Sequence, residues 1–243
     1  MVSEAESLAV RVPRSEWIAA DAAAHLAVTQ SIFADLVVGG TNPFAGFEPE
    51  KYGEVNARLL ADNPGRDRQG LALAIARGSD DFLAAVDAAP PGENYDSPLG
   101  RMDLTTLLSY CTCHLLMHGH GIALALNRST PVSTRHATLA MPFMTHAVPF
   151  AYATRKESGI DACVEFRVRG LPTFWITFTS HTAQVSHRRG RTVDCRIWTG
   201  PLSFLMVLLG HADPLALMLR GRALAWGRRP WLALKLSELL PGL

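Results

Sequence analysis

At 243 residues the chain is long enough for two domains of ordinary size, and its 48% hydrophobic and 19% charged content is that of a globular protein with a sizeable core, which excludes a largely disordered chain. With 23 basic against 22 acidic residues the net charge is +1, so a general electrostatic attraction to nucleic acid or to an anionic membrane is excluded as well. Four cysteines, Cys111, Cys113, Cys163 and Cys195, form no CxxC pair, and the N-terminus lacks the basic and apolar regions of a secretory signal; a reducing, cytoplasmic compartment is the expectation.

Ser15 is placed to cap a helix over residues 15–38, with Ile18, Ala22, His25, Leu26, Thr29, Ile32, Phe33 and Leu36 at helical spacing and Gly39-Gly40 as its stop. His25 falls on that apolar stripe and is expected to point inward. Residues 41–49 read as a loop whose Phe44 and Phe47 pack, or touch a substrate if the loop covers the mouth of a bundle. A short helix over 50–60 and a turn at Asn63-Pro64-Gly65 follow. A long helix over 67–88 is expected to bury Leu71, Leu73, Ala74, Ile75, Phe82, Leu83 and Val86, and to stop at Pro90-Pro91-Gly92. Pro98-Leu99-Gly100 closes the loop after it.

The next helix, over 102–126, carries the most informative stretch of the chain. Leu104, Leu107, Cys111, His114, Leu115, His118, Ile122 and Ala125 share one stripe, and His114 and His118, four residues apart, sit one above the other on the inward face. Such a pair holds a divalent metal if a third ligand arrives from another helix, and His25 is the candidate. Three histidines leave one coordination position open, as catalytic zinc sites require. A pair of histidines satisfied within an ordinary core is the alternative. Cys111, three residues before His114, is either a fourth, thiolate ligand or a small buried hydrophobe. His120 points elsewhere.

Residues 127–142 lack a sustained period and mark a domain boundary. Beyond it the period becomes two: 163–169 and 173–179 alternate, Gly170-Leu171-Pro172 joins them, and 184–187 and 193–198 supply further strands, the pattern of an antiparallel meander. Gly200-Pro201 opens a helix to about Leu209, Asp213-Pro214 a shorter one, 222–226 read as a last strand and 229–240 as a last helix. His211, Asp213 and Pro214 interrupt the most apolar segment, 201–219, which is therefore core and not a membrane span. The arginines at 188–191, 220–222 and 228–229 read as a solvated rim. Antiparallel strands with helices gathered on one face make an α+β module.

With these residues in hand the chain resembles a known family. Trp17 through the His25 segment, Asn56 to Val86 and the His114 to Leu126 helix, with Ala24-His25-Leu26-Ala27 and His118-Gly119-His120-Gly121-Ile122-Ala123, are similar to the N-terminal domain of mycothiol-dependent maleylpyruvate isomerases, a branch of the DinB-like four-helix bundles. From about residue 145 to the end the chain resembles the sterol-carrier-protein-2-like (SCP2-like) domain that follows in those enzymes. The resemblance implies a two-domain α+β fold, with a DinB-like four-helix bundle over 1–130 and an SCP2-like antiparallel sheet with helices over 140–243. It implies a zinc or similar ion on His25, His114 and His118, with His114 standing where the family most often has Glu. A neutral imidazole in place of a carboxylate leaves more of the ion's charge unquenched and strengthens it as a Lewis acid. The family's Asp after His-Gly-x is Gly121 here, which removes a group able to orient a ligand.

The activity implied is metal-dependent delivery of a low-molecular-weight thiol, mycothiol, to a small electrophile. Addition to a conjugated alkene and elimination give isomerisation; retention of the thiol gives S-conjugation. Negative groups on the substrate need cations, and among Arg220, Arg222, Arg228 and Arg229 the first choice is Arg222. A monomer or homodimer without nucleic-acid partners is expected. Two other readings stand beside this one. One is a carrier of lipid or another apolar ligand, its pocket lined by Phe166, Phe174, Ile176, Phe178, Trp198 and the 202–209 run. The other is a regulatory protein that keeps the fold without the activity.

Overall fold

In the computed structural model, which describes residues 1–13, 15–129, 132–153 and 160–240, the chain divides into two compact units, Met1–Val132 and Ser133–Leu243. Thr130 and Pro131, at the expected boundary, lie outside the described residues.

The first unit is built on helix α1 (Ala19–Val37), against which α2 (Tyr52–Asp62), α3 (Arg68–Ala88) and α4 (Leu104–Ala125) all pack. Ser15 does not cap α1. Its Oγ takes the Trp17 amide at 3.1 Å, Arg11 and Ile18 pair as an isolated bridge, and the helix starts only at Ala19, with Asp21 accepting from the Ile18 amide at 3.4 Å. A hydroxyl committed to a turn two residues on is no longer available to the first helical turn. At the other end Gly39 takes φ +78°, which lets the Gly40 amide reach back to the Asp35 carbonyl at 2.7 Å and close the helix.

Asp67 and Asp103 cap α3 and α4, each accepting a backbone amide three residues on at 2.7 Å. On α3 the buried line is Leu71, Gly78 and Phe82, with Ile75 and Val86 half-buried beside it, whereas Leu73, Ala74 and Leu83, expected inside, are exposed. At 100° per residue those three fall off the stripe that meets α1. Gly78 marks a close approach of the two helices, since a Cβ there would lie 2.8 Å from that of Gln30. Between α3 and α4 the chain forms a hairpin not foreseen in the sequence, β1 (Asn94–Ser97) and β2 (Gly100–Asp103), turned through Pro98-Leu99 with Gly100 at φ +88°. Phe44 of the 41–49 loop is buried against Tyr52, while Phe47 is exposed under the Arg58 guanidinium.

The first twelve residues are part of this core. Val2, Ala5, Leu8 and Val12 are buried with α1 and Ile122 of α4. Their backbone is held by the Ala19 and Ala20 amides, which donate to Val10 and Leu8, and by Arg68, which donates to the Ala5 carbonyl. Arg128, just past α4, reaches the Met1 and Glu4 carbonyls and the Glu4 carboxylate.

The second unit opens with two helices where no period was legible, α5 (Thr134–Leu139) and α6 (Met141–Ala153). Its sheet is β3 (Ala162–Val168), β4 (Phe174–Phe178), β5 (Ala183–Ser186), β6 (Cys195–Thr199) and β7 (Ala223–Gly227), in the order β5-β4-β3-β6-β7. The expected meander is β3-β4-β5; β6 returns to the far side of β3 and pairs with it in parallel, and the other three pairings are antiparallel. Helix α7 (Pro201–Leu208) begins at Pro201 as expected, and α8 (Pro214–Leu219) is capped by Asp213. The last helix is a 3-10 stretch, Pro230–Lys235, ending in the short α9 (Leu236–Leu239). One face of the sheet is packed: Phe166 and Phe174 stack at 5.1 Å, Phe204 of α7 meets both edge-on, and Tyr152 of α6 lies against Phe178. No described helix is long and apolar enough to cross a membrane.

Candidate metal centre

His25 of α1 and His114 and His118 of α4 converge, their nearest ring nitrogens all within 4.8 Å of one another. The His114 and His118 rings meet edge-on along α4 at 4.5 Å between centroids, and His25 approaches both from α1 at 4.9 and 4.7 Å. His25 Nε2 and His114 Nε2 are 3.0 Å apart. Two nitrogens on one tetrahedral zinc stand ~3.3 Å apart, so this pair is already spaced as two ligands of a single ion would be. Among the described residues this is the one group of three or more histidine, cysteine or acidic side chains with metal-holding spacing.

Burial sets the protonation of the cluster. His25 is 4% and His114 8% exposed, and His118 is half-buried. Loss of water pushes the His25 pKa down to about 4, and burial, followed by the neighbouring His118 and His25, takes His114 well below its ordinary value. Both rings are therefore neutral at pH 7, and the 3.0 Å contact between their ε nitrogens is a hydrogen bond in which one donates and the other accepts. Thr29, one turn after His25, donates its proton to the His25 carbonyl at 2.7 Å. Towards His114 Nδ1, 3.5 Å away, its oxygen is left as an acceptor, which favours the proton on Nδ1 and leaves Nε2 free to ligate.

Trp17 closes one side, its ring 4.8 Å from His25 and 5.9 Å from His118, and Phe33 meets His114 at 5.9 Å. The sequence reading gave no role to Trp17 or Thr29. The only signal for Thr29 was its place four residues after His25 on the same stripe; for Trp17, which precedes the helix, there was none. Cys111 is not a ligand: its thiol is buried, donates to Gln30 Oε1 at 3.2 Å, and has a pKa pushed up to about 12. It is the small buried thiol of the two alternatives. His120 is half-buried outside the cluster. Gly121 is buried where a Cβ would come within 3.0 Å of Val12 Cγ1, so the N-terminal segment occupies the space a longer side chain would need.

The sequence profile described as the mycothiol maleylpyruvate isomerase N-terminal domain matches residues 2–123, half of the chain. The chain belongs to the mycothiol maleylpyruvate isomerase family. The same architecture is seen in the crystal structure of a histidine-to-alanine mutant of the mycothiol-dependent maleylpyruvate isomerase, at TM-score 0.52 and 9% identity over 84% of this chain and 79% of that one. That likeness extends past the first unit and concerns fold alone. A UbiJ-SCP2 ubiquinone synthesis protein aligns with 40% of this chain and 80% of its own at 15% identity, with a TM-score of 0.28. No curated protein matches the sequence.

Arg222 lies in the second unit, between α8 and β7, with an exposed side chain; its amide donates to the Leu217 carbonyl at 2.9 Å and its carbonyl accepts from Thr199 at 3.2 Å. The side chains expected to line an apolar pocket do not share one. Phe166, Phe174, Ile176 and Phe178 are at most 2% exposed in the packed core, while Trp198 projects from the opposite face of the sheet. Of the expected lining, Phe204 and Val207 of the 202–209 run border an apolar cavity with Leu217 and Leu236, and its volume of about 30 Å³ is that of about one water molecule.

Proposed function

We propose that this family member is a metal-dependent enzyme that uses a low-molecular-weight thiol, mycothiol by family, to isomerise or S-conjugate a small electrophilic substrate. The observation that carries the reading is the convergence of three imidazoles from two helices, two of them held neutral by burial, with no acidic side chain in the group. In this reading residues 1–130 are the metal-binding domain and 140–243 the second, SCP2-like domain.

His25, His114 and His118 would hold the ion, zinc by its preference for imidazole nitrogen and tolerance of low coordination number. Bound there, the ion supplies Lewis acidity that lowers the pKa of a thiol at its open position. The chain's own residues prepare that position. Burial keeps the ligands unprotonated at neutral pH, Thr29 holds the His114 proton on Nδ1, and Trp17 keeps water from one side. Arg222, exposed and cationic, is the residue we assign to an anionic group of the substrate. Four buried cysteines accord with action in a reducing cytoplasm.

Elemental analysis of untagged protein tests the centre. About one ion per chain is expected, and a His118→Ala variant that folds should lose it. Protein that takes up no zinc even when zinc is added would end the catalytic reading. Metal-loaded protein that accelerates no thiol-dependent isomerisation or conjugation would leave a metal site and remove the enzyme.

A further inference from the structure

The face of the five-stranded sheet opposite the packed phenylalanines carries a set of side chains that neither the core nor the metal centre uses. Phe204 and Tyr152 pack on the face that holds Phe166, Phe174 and Phe178. The strand register then puts Trp175, Glu165, Arg196 and Trp226 in one row across the other face, on β4, β3, β6 and β7 in turn. Arg167 and Trp198 form the adjoining pair of the next row.

Two guanidiniums here share one carboxylate. Glu165 is buried, its side chain 6% exposed, and it receives Arg167 Nε at 2.6 Å and Arg196 Nε at 3.5 Å. Both contacts are made through Nε, so the terminal nitrogens of both guanidinium groups remain for another acceptor, and the trio keeps one net positive charge. The Arg167 guanidinium lies over the Trp226 ring, 5.7 Å from its centroid, which fixes the fork beside an aromatic surface. Trp175 adds an indole N–H that is buried and meets no acceptor among the described residues. A buried donor without a partner costs stability and marks a place where an acceptor would be welcomed.

We propose that this face binds a small planar aromatic carboxylate. The carboxylate takes the terminal guanidinium nitrogens of Arg167 and Arg196 in the two-pronged manner arginine favours, and the ring lies against the exposed Trp226 indole. Charge selects the anion, since one fixed carboxylate leaves the two arginines undercompensated. The exposed Trp226 ring, with the half-buried Trp198 on the same face, selects a flat apolar body over a bare anion. This assignment does not rest on the metal reading, because every residue in it belongs to the second unit.

The test is a titration of the ¹⁵N-labelled full-length protein with sodium benzoate at constant ionic strength, following the five tryptophan indole N–H signals. Trp175 and Trp226 are expected to move along one saturable curve while Trp231 stays. Sodium acetate and benzyl alcohol, each offering half of the ligand, should bind at least fivefold more weakly. Arg167→Lys keeps the charge beside Glu165 and loses the fork, and it should weaken benzoate at least fivefold; Arg188→Gln, on an exposed loop, should not. Absence of saturation, acetate binding as well as benzoate, or unchanged affinity in Arg167→Lys would each overturn the proposal. Movement of Trp17 alone would place benzoate at the histidines and overturn it too.

Discussion

What burial does to a proton decides the behaviour of the histidine cluster. In the folded chain His25 stays neutral down to about pH 4, while in the unfolded chain it takes up a proton near its ordinary value of 6.5. Between those values the unfolded state holds more protons. The stability that burial of the neutral ring permits is thus complete above pH 6.5 and is lost as the pH falls towards 4. The span corresponds to about 3 kcal/mol for His25 alone, with His114 shifting in the same direction. Urea unfolding of chelator-treated protein at pH 7 and pH 4.5 should show this loss, and His25→Asn should remove much of it. A midpoint equal at the two pH values would mean that the rings are not held neutral. His25, His114 and His118 were legible because a helical period of 3.6 says which residues share a face. Thr29 and Trp17 were less so, since a hydroxyl on an apolar stripe and an indole before a helix reveal their work only when the partner helix is in place.

Among the elements, α4 carries both the ligand pair and the departure at Gly121. A Cβ at that position would press on Val12 at 3.0 Å, but alanine in a helix is favoured over glycine by about 1 kcal/mol. Gly121→Ala should therefore be neutral or destabilising in the native chain and stabilising by about 1 kcal/mol once Val12→Ala has cleared the space. Equal effects in the two backgrounds, measured by urea midpoints, would show that the N-terminal segment does not press on α4 there. Helices α1 to α4 were legible from period and stop signals, as were β3 to β7, α7 and α8. Helix α5 has only six residues, too short to show a period, and α6 is buried on several sides, with Met141, Phe143, Met144, Ala147, Val148, Ala151 and Tyr152 all inside, so that its apolar residues mark no single stripe. The β1–β2 hairpin escaped notice because Asn94-Tyr95-Asp96-Ser97 is polar except for one buried tyrosine. The parallel β3–β6 pairing depends on which strands meet, which alternation within a strand does not encode.

The whole molecule consists of two units, each with its own buried core, and the three histidines proposed as metal ligands all belong to the first. Calorimetry should resolve two transitions of which only one moves with zinc. At a free ion concentration a hundredfold above the dissociation constant the gain is about 2.7 kcal/mol for the unit that binds. A single transition, or two that rise together, would mean that the units do not unfold separately. Within the first unit, Arg128 grips residues 1 and 4, so the segment that begins this unit lies beside the one that leaves α4. Neighbouring ends are the condition for rewiring a domain by circular permutation. A version joined across that grip and reopened at Pro90-Pro91 would read α4 before α1, with His114 and His118 preceding His25 along the chain. Its three imidazoles would still meet, because the order in which a chain supplies ligands is independent of the place where they gather.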